Sequence, residues 1–236
     1  MIFYTILFSL GDPRKNEYVW CAMVWLKSLI TSGSLQKEDK VAILCDTDTL
    51  KHLQTINLFR LVKNLELVEV PKPKDAREGM ELKYVFRPKL DETIVYADVD
   101  QIFRRPFRLE LPPDTLCLYP EGDITHPNYR GDYPLSGGQG YTAGIWAYRP
   151  GLKVTEFLDK TLKVCKESNK RHYTLDQPHF NYCLVLTKPQ IKLMNKNVIS
   201  FNGNNDLKEA AVVNLCGDPG VGHCHFTKML DMLLIL

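Results

Sequence analysis

The 236-residue sequence predicts an α/β domain built on a mostly parallel central sheet flanked by helices. Three observations carry that expectation. Strand-like and helix-like segments alternate through the first hundred residues. Several strands are short, near-continuous apolar runs, the mark of strands buried on both faces. The run Thr93-Ile94-Val95-Tyr96-Ala97 then feeds into Asp98-Val99-Asp100, two carboxylates one residue apart. Open α/β sheets gather their ligand sites at such strand ends.

Taken in order, Ile2–Phe8 reads as a first core strand. It lacks the basic region and small-residue cleavage site of a signal peptide. A polar loop with Pro13 follows. Tyr18–Ile30 then places Val19, Ala22, Met23, Leu26, Leu29 and Ile30 at helical spacing, ending near Gly33. Val41–Cys45 is a buried strand ending at Asp46. A helix over Thr49–Arg60, a strand over Leu65–Val70, the Pro71–Pro73 break, a helix over Met80–Arg87 and the strand Thr93–Ala97 complete a β-α-β-α-β series. Beyond Asp100 the pattern loosens. Leu116–Tyr119 and Tyr141–Tyr148 read as strands, residues 120–141 as a loop rich in Pro and Gly, and Lys153–Lys166 as a helix. No repeat or low-complexity linker divides the chain, so residues 1–236 read as one domain, whole or part of a longer polypeptide.

Composition narrows the function classes. With 44% hydrophobic and 25% charged residues the chain is globular, and a net charge of +2 argues against a general nucleic-acid binder. The cluster Arg104, Arg105, Arg108 reads as a solvated face or a set of ion pairs. Seven scattered cysteines without a Cys-x-x-Cys argue against a structural zinc site and favour a reducing, cytoplasmic setting. No apolar stretch approaches the 18 residues of a membrane span. The apolar finish Met229–Leu236 reads as a docking helix or the point where a longer chain was cut.

Asp98 and Asp100 admit two readings. Aspartates commonly end strands in turns. Hard divalent cations also seek carboxylate oxygens and carry substrate phosphates on their remaining positions. Four further segments accompany the pair: Tyr18–Leu29 opening a helix; Leu82-Lys83-Tyr84-Val85-Phe86; Tyr141-Thr142-Ala143-Gly144-Ile145-Trp146-Ala147-Tyr148; and Leu175-Asp176-Gln177-Pro178-His179-Phe180-Asn181 with a late His225-Phe226. In this order and spacing, over roughly residues 2–228, the set resembles the glycogenin-like glycosyltransferases of family 8, which have the Rossmann-like GT-A fold.

The resemblance implies a metal-dependent retaining transferase that moves a hexose from a UDP-sugar donor to a carbohydrate or glycoprotein acceptor. It assigns Asp98, Asp100 and His225 to Mn²⁺, with Mg²⁺ as the other candidate, and leaves His223 as an alternative to His225. It places Phe8, Ser9, Tyr18 and Val99 at the nucleoside and Lys83 at the donor phosphate or sugar. Thr142, Ala143 and Gly144 match an Asn-Ser-Gly or Asn-Ala-Gly stretch at the donor sugar, with Thr142 in place of the usual Asn. Asp176 and Gln177 match the pair beside the anomeric carbon, although Thr174 or Asp176 also reads as the cap of a helix through Leu184. Lys228 stands near the position of a phosphate-binding lysine, but it comes sooner than in the family and no Pro-Trp follows. The loop 120–140, with Ser136-Gly137-Gly138-Gln139-Gly140, reads as an acceptor-side lid. Family members often pair as homodimers. Two other functions compete: a nucleotidyltransferase, which Leu10–Lys15 is too poor in glycine to support well, and a non-catalytic nucleotide- or sugar-binding module.

Overall fold

A computed structural model describes residues 1–88, 91–168, 175–201, 209–215 and 225–234, with the side chains of the last stretch from 227 to 232. The first elements are β1 (Ile2–Leu7), α1 (Glu17–Thr31), β2 (Lys40–Cys45), α2 (Thr47–Leu53), α3 (Asn57–Leu61) and β3 (Leu65–Glu69). Next come α4 (Ala76–Glu81), β4 (Ile94–Ala97), β5 (Gln101–Phe103), β6 (Thr115–Asp123), α5 (Pro127–Arg130) and β7 (Gln139–Arg149). The chain continues through α6 (Leu152–Glu167), α7 (Gln177–Thr187), β8 (Gln190–Leu193), β9 (Ile199–Phe201), β10 (Val212–Asn214) and α8 (His225–Leu234).

The expected α/β architecture is present. A seven-stranded sheet has the order β3-β2-β1-β4-β7-β6-β8, and a small second sheet has the order β5-β10-β9. β2 pairs parallel with β3 and β6 parallel with β8, while β7 runs antiparallel to β6. The strand order reverses beside β1, where the sequence leaves β3 and returns as β4. That reversal is where open α/β sheets place ligands.

Packing divides the chain into two compact units. One, here the amino unit, comprises Phe3–Lys72, Ala97–Leu109 and Asn195–Leu236. Its core gathers on Phe103, whose ring meets Phe3 edge-on at 5.8 Å and Trp25 at 6.5 Å. α1 begins where Asn16 accepts a hydrogen bond from the Tyr18 amide and buries Val19, Ala22, Leu26 and Leu29. α8 packs on α1 and buries Met229, so the apolar carboxyl end is a docked helix. Arg108 pairs with the buried Asp39, which fulfils the ion-pair reading for that arginine.

The other, the central unit, comprises Met1–Ile2, Pro73–Tyr96 and Glu110–Met194. Its core is aromatic: Trp146 lies 6.1 Å from Tyr84, 5.7 Å from Tyr96 and 5.5 Å from Tyr148, and Phe157 meets Phe180 at 5.2 Å. α6 starts without a side-chain cap of its own at Gly151; the Asp114 carboxylate accepts from the amides of Lys153 at 3.1 Å and Val154 at 2.8 Å. A Cβ on Gly151 would lie 2.2 Å from the Cβ of Asp114, so only glycine permits that approach.

Several boundaries differ from the sequence expectations. The helix expected over Thr49–Arg60 is two short helices, because Asp46 starts the first at Thr47 and Ile56 stands extended between them. The helix expected over Met80–Arg87 is α4 followed by a 3-10 turn, Leu82–Tyr84. Asp75 caps α4 early, and Pro88 disfavours helical backbone at Arg87. Residues 120–141 are not all loop: β6 runs to Asp123, α5 occupies Pro127–Arg130 and β7 begins at Gln139. Among the described residues no helix is long and apolar enough to cross a membrane. Cys21, Cys45, Cys117, Cys165 and Cys183 are buried thiols.

Candidate active site

β4 is fully buried along its length, and the amino unit takes up the chain at Ala97, the last residue of the strand, after which it becomes partly exposed. Asp98 and Asp100 are both half-buried there, with Val99 buried between them. The Gln101 amide donates to the Asp98 carbonyl at 3.3 Å and the Leu215 amide to the Asp100 carbonyl at 3.1 Å, so backbone bonds shape the turn. The turn reading holds, and the turn places two carboxylates at the strand end. Such hard oxygen donors suit Mn²⁺ or Mg²⁺, with coordination positions left over for water or phosphate oxygen.

Tyr18 lies in the field of this pair. Burial, then the charges of Asp100, Cys21, Glu17 and Asp98, push its phenol up to about 12, while the residue as a whole stays 45% exposed. Phe8 is half-buried and Ser9 buried at the exit of β1. Asn16 ties them to the helix start: its Nδ2 donates to the Phe8 carbonyl at 2.9 Å and to Ser9 Oγ at 2.7 Å, and its Oδ1 accepts from the Tyr18 amide at 3.0 Å. The structure thus joins Phe8, Ser9 and Tyr18 in one bonded loop.

The remaining residues expected here are less fully described. Among the described residues no group of three or more His, Cys, Asp or Glu side chains could hold a metal. His225 is the first residue of α8; its side chain, and all of His223, lie outside the described residues. Lys228 is exposed on α8.

In the central unit, Lys83 stands on the 3-10 turn and is only 3% exposed. Its Nζ lies 3.3 Å from Asp176 Oδ1, 3.4 Å from the Ala143 carbonyl and 5.2 Å from the centre of the Tyr96 ring. Tyr84 donates to the other Asp176 oxygen at 2.5 Å. Asp176 itself is 6% exposed, so a buried carboxylate is met by an ammonium on one oxygen and a phenol on the other. This corrects one expectation. Asp176 stands at the cap position of α7 but makes no side-chain capping bond, since its oxygens are taken by Lys83 and Tyr84; Thr174 lies outside the described residues. Lys83 is paired with Asp176 within the protein.

Gln177 joins the same network. Its Oε1 accepts from the Ala143 amide at 3.0 Å and its Nε2 donates to the Asn128 carbonyl at 3.3 Å. Ala143 is thus held through its amide by Gln177 and through its carbonyl by Lys83. Asn181, one turn along α7, exchanges both bonds with the Tyr141 backbone at 2.9 Å. Leu175, just before Asp176, has φ 50°, a left-handed backbone that costs a branched residue about 1–3 kcal/mol. The buried pairing fixes Asp176 against that strain.

Glu121 is the residue that sequence reasoning missed. It lies where β6 loses register with β7, in a stretch expected to be loop, and accepts hydrogen bonds from Tyr129 and Thr142. Although much of the side chain reaches solvent, burial of the carboxyl raises it above the usual glutamate range against those two bonds. Thr142 Oγ1 also accepts from the Gly144 amide at 3.2 Å, so its hydroxyl is engaged on both sides. Thr142, Ala143, Gly144, Lys83, Asp176 and Gln177 share one hydrogen-bonded network, with Glu121 added. The one signal available was an acidic residue in a Pro-Glu-Gly sequence just after an apolar strand.

Solved structures supply the comparison. The galactosyltransferase LgtC in complex with donor and acceptor sugar analogs superposes with a TM-score of 0.64 at 12% identity, covering 98% of this chain and 96% of LgtC. An active-site mutant of LgtC gives the same values. The fold is that of a glycosyltransferase. Mouse xyloside xylosyltransferase 1 in its apo form gives a TM-score of 0.58 at 11% identity over 94% of this chain and 100% of that one. No family model and no curated protein matches the sequence. The GT-A expectation is met at the level of fold.

Proposed function

We propose that the protein is a metal-dependent, retaining glycosyltransferase that moves a hexose from a UDP-sugar to a hydroxyl acceptor. The observation that carries this reading is the Asp98-Val99-Asp100 turn at the carboxyl end of β4 within a fold shared with a galactosyltransferase. Asp98 and Asp100, with His225, would hold Mn²⁺ or Mg²⁺, and that cation would stabilise negative charge on the departing diphosphate. Tyr18, Phe8, Ser9 and Val99 take the nucleoside, and Lys228 stands as a candidate for phosphate.

The central-unit residues act on the sugar. Asp176 and the Gln177 amide stabilise positive charge developing at the anomeric carbon, with electrostatics preset by a buried network. Lys83 and Tyr84 orient Asp176, and the lysine charge balances that carboxylate in the resting protein. Glu121 accepts a hydrogen bond from a sugar hydroxyl beside Thr142, Ala143 and Gly144. Retention needs no strong protein base, because the leaving phosphate takes the acceptor proton on the same face.

Calorimetric titration with UDP, UDP-glucose and UDP-galactose, each in Mn²⁺ and in EDTA, tests the reading. Metal-dependent UDP binding with tighter binding of one UDP-sugar supports it, and no UDP binding in either condition refutes it. Release of UDP from the bound donor separates a transferase from a binding module.

A further inference from the structure

Asp46, which ends β2, was singled out by neither motif nor resemblance, yet it is fully buried and its two oxygens do different work. Oδ1 accepts from the amides of Asp48 and Thr49, each at 3.1 Å, which caps α2. Oδ2 accepts from Thr49 Oγ1 at 2.6 Å and from the amide of Ser9, 37 residues earlier, at 3.1 Å. A helix cap alone is served as well by Asn or Ser. The bond to Ser9 requires a second acceptor oxygen, which Asn provides only by surrendering the cap.

From Ser9 the connection continues. Asn16 Nδ2 bonds Ser9 Oγ, Asn16 Oδ1 bonds the Tyr18 amide, and Tyr18 lies in the field of Asp100 and Asp98. Between Ser9 and Asn16 the loop contains exposed Leu10 and Gly11 and the surface pair Asp12–Arg14. Its anchors into the protein therefore include Asp46 at one end and Asn16 at the other.

We infer that Asp46 is a positioning residue for the nucleoside side of the site, holding Ser9, and through Asn16 the start of α1, in the geometry that receives the base. This rests on the UDP-sugar reading. A loop ordered before binding saves the ligand the cost of ordering it.

The test compares UDP with inorganic pyrophosphate in Mn²⁺, titrated by calorimetry into the full chain. Asp46→Asn keeps the cap oxygen and sets an NH₂ against the Ser9 amide. It should weaken UDP by about tenfold or more, the effect of losing a hydrogen bond to a charged group, while pyrophosphate affinity stays unchanged. Thr49→Val, which removes a neighbour of Oδ2 but not the Ser9 bond, should stay within about threefold for both probes. Asn16→Asp, half-exposed and well placed to fold, loses the Nδ2 bonds and should weaken UDP selectively as well. Unchanged UDP binding in Asp46→Asn or Asn16→Asp overturns the inference. So does an equal loss of both probes, or a Thr49→Val loss as large as that of Asp46→Asn. Wild type that binds pyrophosphate but no UDP overturns the UDP-sugar reading itself and the inference with it.

Discussion

In the central unit the charges of Lys83 and Asp176 meet inside the protein, whereas in the amino unit Asp98 and Asp100 stand half-buried on a turn shaped by backbone bonds. The contrast separates two ways of preparing a site. A buried pair is oriented before any ligand arrives, and its cost is desolvation that the partner must offset. Half-exposed carboxylates keep lone pairs near solvent, where a cation can replace water without strain elsewhere in the fold. The first arrangement suits charge stabilisation in a transition state, the second an exchangeable metal.

Substitutions can break or sharpen this contrast. Asp98→Asn or Asp100→Asn should abolish UDP release, with a smaller loss of melting temperature than any change at the buried pair; normal turnover in either variant would sink the metal assignment. Asp176→Asn strands the Lys83 charge. It should cost about 3–5 kcal/mol in denaturant unfolding, cripple turnover and leave UDP titration unchanged. Tyr84→Phe removes one bond to the same carboxylate, and a loss of about 1–3 kcal/mol is expected in the same assay.

The smallest effect concerns acid. Burial alone would raise the Asp46 carboxyl, but its bonds from Thr49, Ser9 and Asp48 bring it below the ordinary value of 3.8. A lowered folded value means the stabilisation is present above the unfolded value and is lost as pH falls through the folded one. Acid unfolding of the wild type should therefore show a loss below about pH 4 that Asp46→Asn lacks.

The same contrast explains what the sequence disclosed. Asp98 and Asp100 follow a continuous apolar strand, so their position at a strand end was legible. The residues of the central network were legible by type, but their partners were not, because Lys83 and Asp176 lie 93 positions apart and only the tertiary fold pairs them. Local patterning went astray where an N-cap residue outweighed apolar spacing, as with Asp46 starting a helix at Thr47 and Asp75 starting one at Ala76. Glu121 stayed hidden because a strand that slips its register has no period to read.

Asp114 couples a helix start to a strand pairing in the central unit. It supplies the first amides of α6 with their acceptor, and it immediately precedes the pair Thr115 and Arg149 with which β6 and β7 begin their register. Closure of the hairpin brings Asp114 against Gly151 and so supplies the helix with the cap that Gly151 lacks. The stability of a local element is thereby tied to a non-local one, and hydrogen exchange of the Lys153 and Val154 amides should be slowed in step with protection of the hairpin.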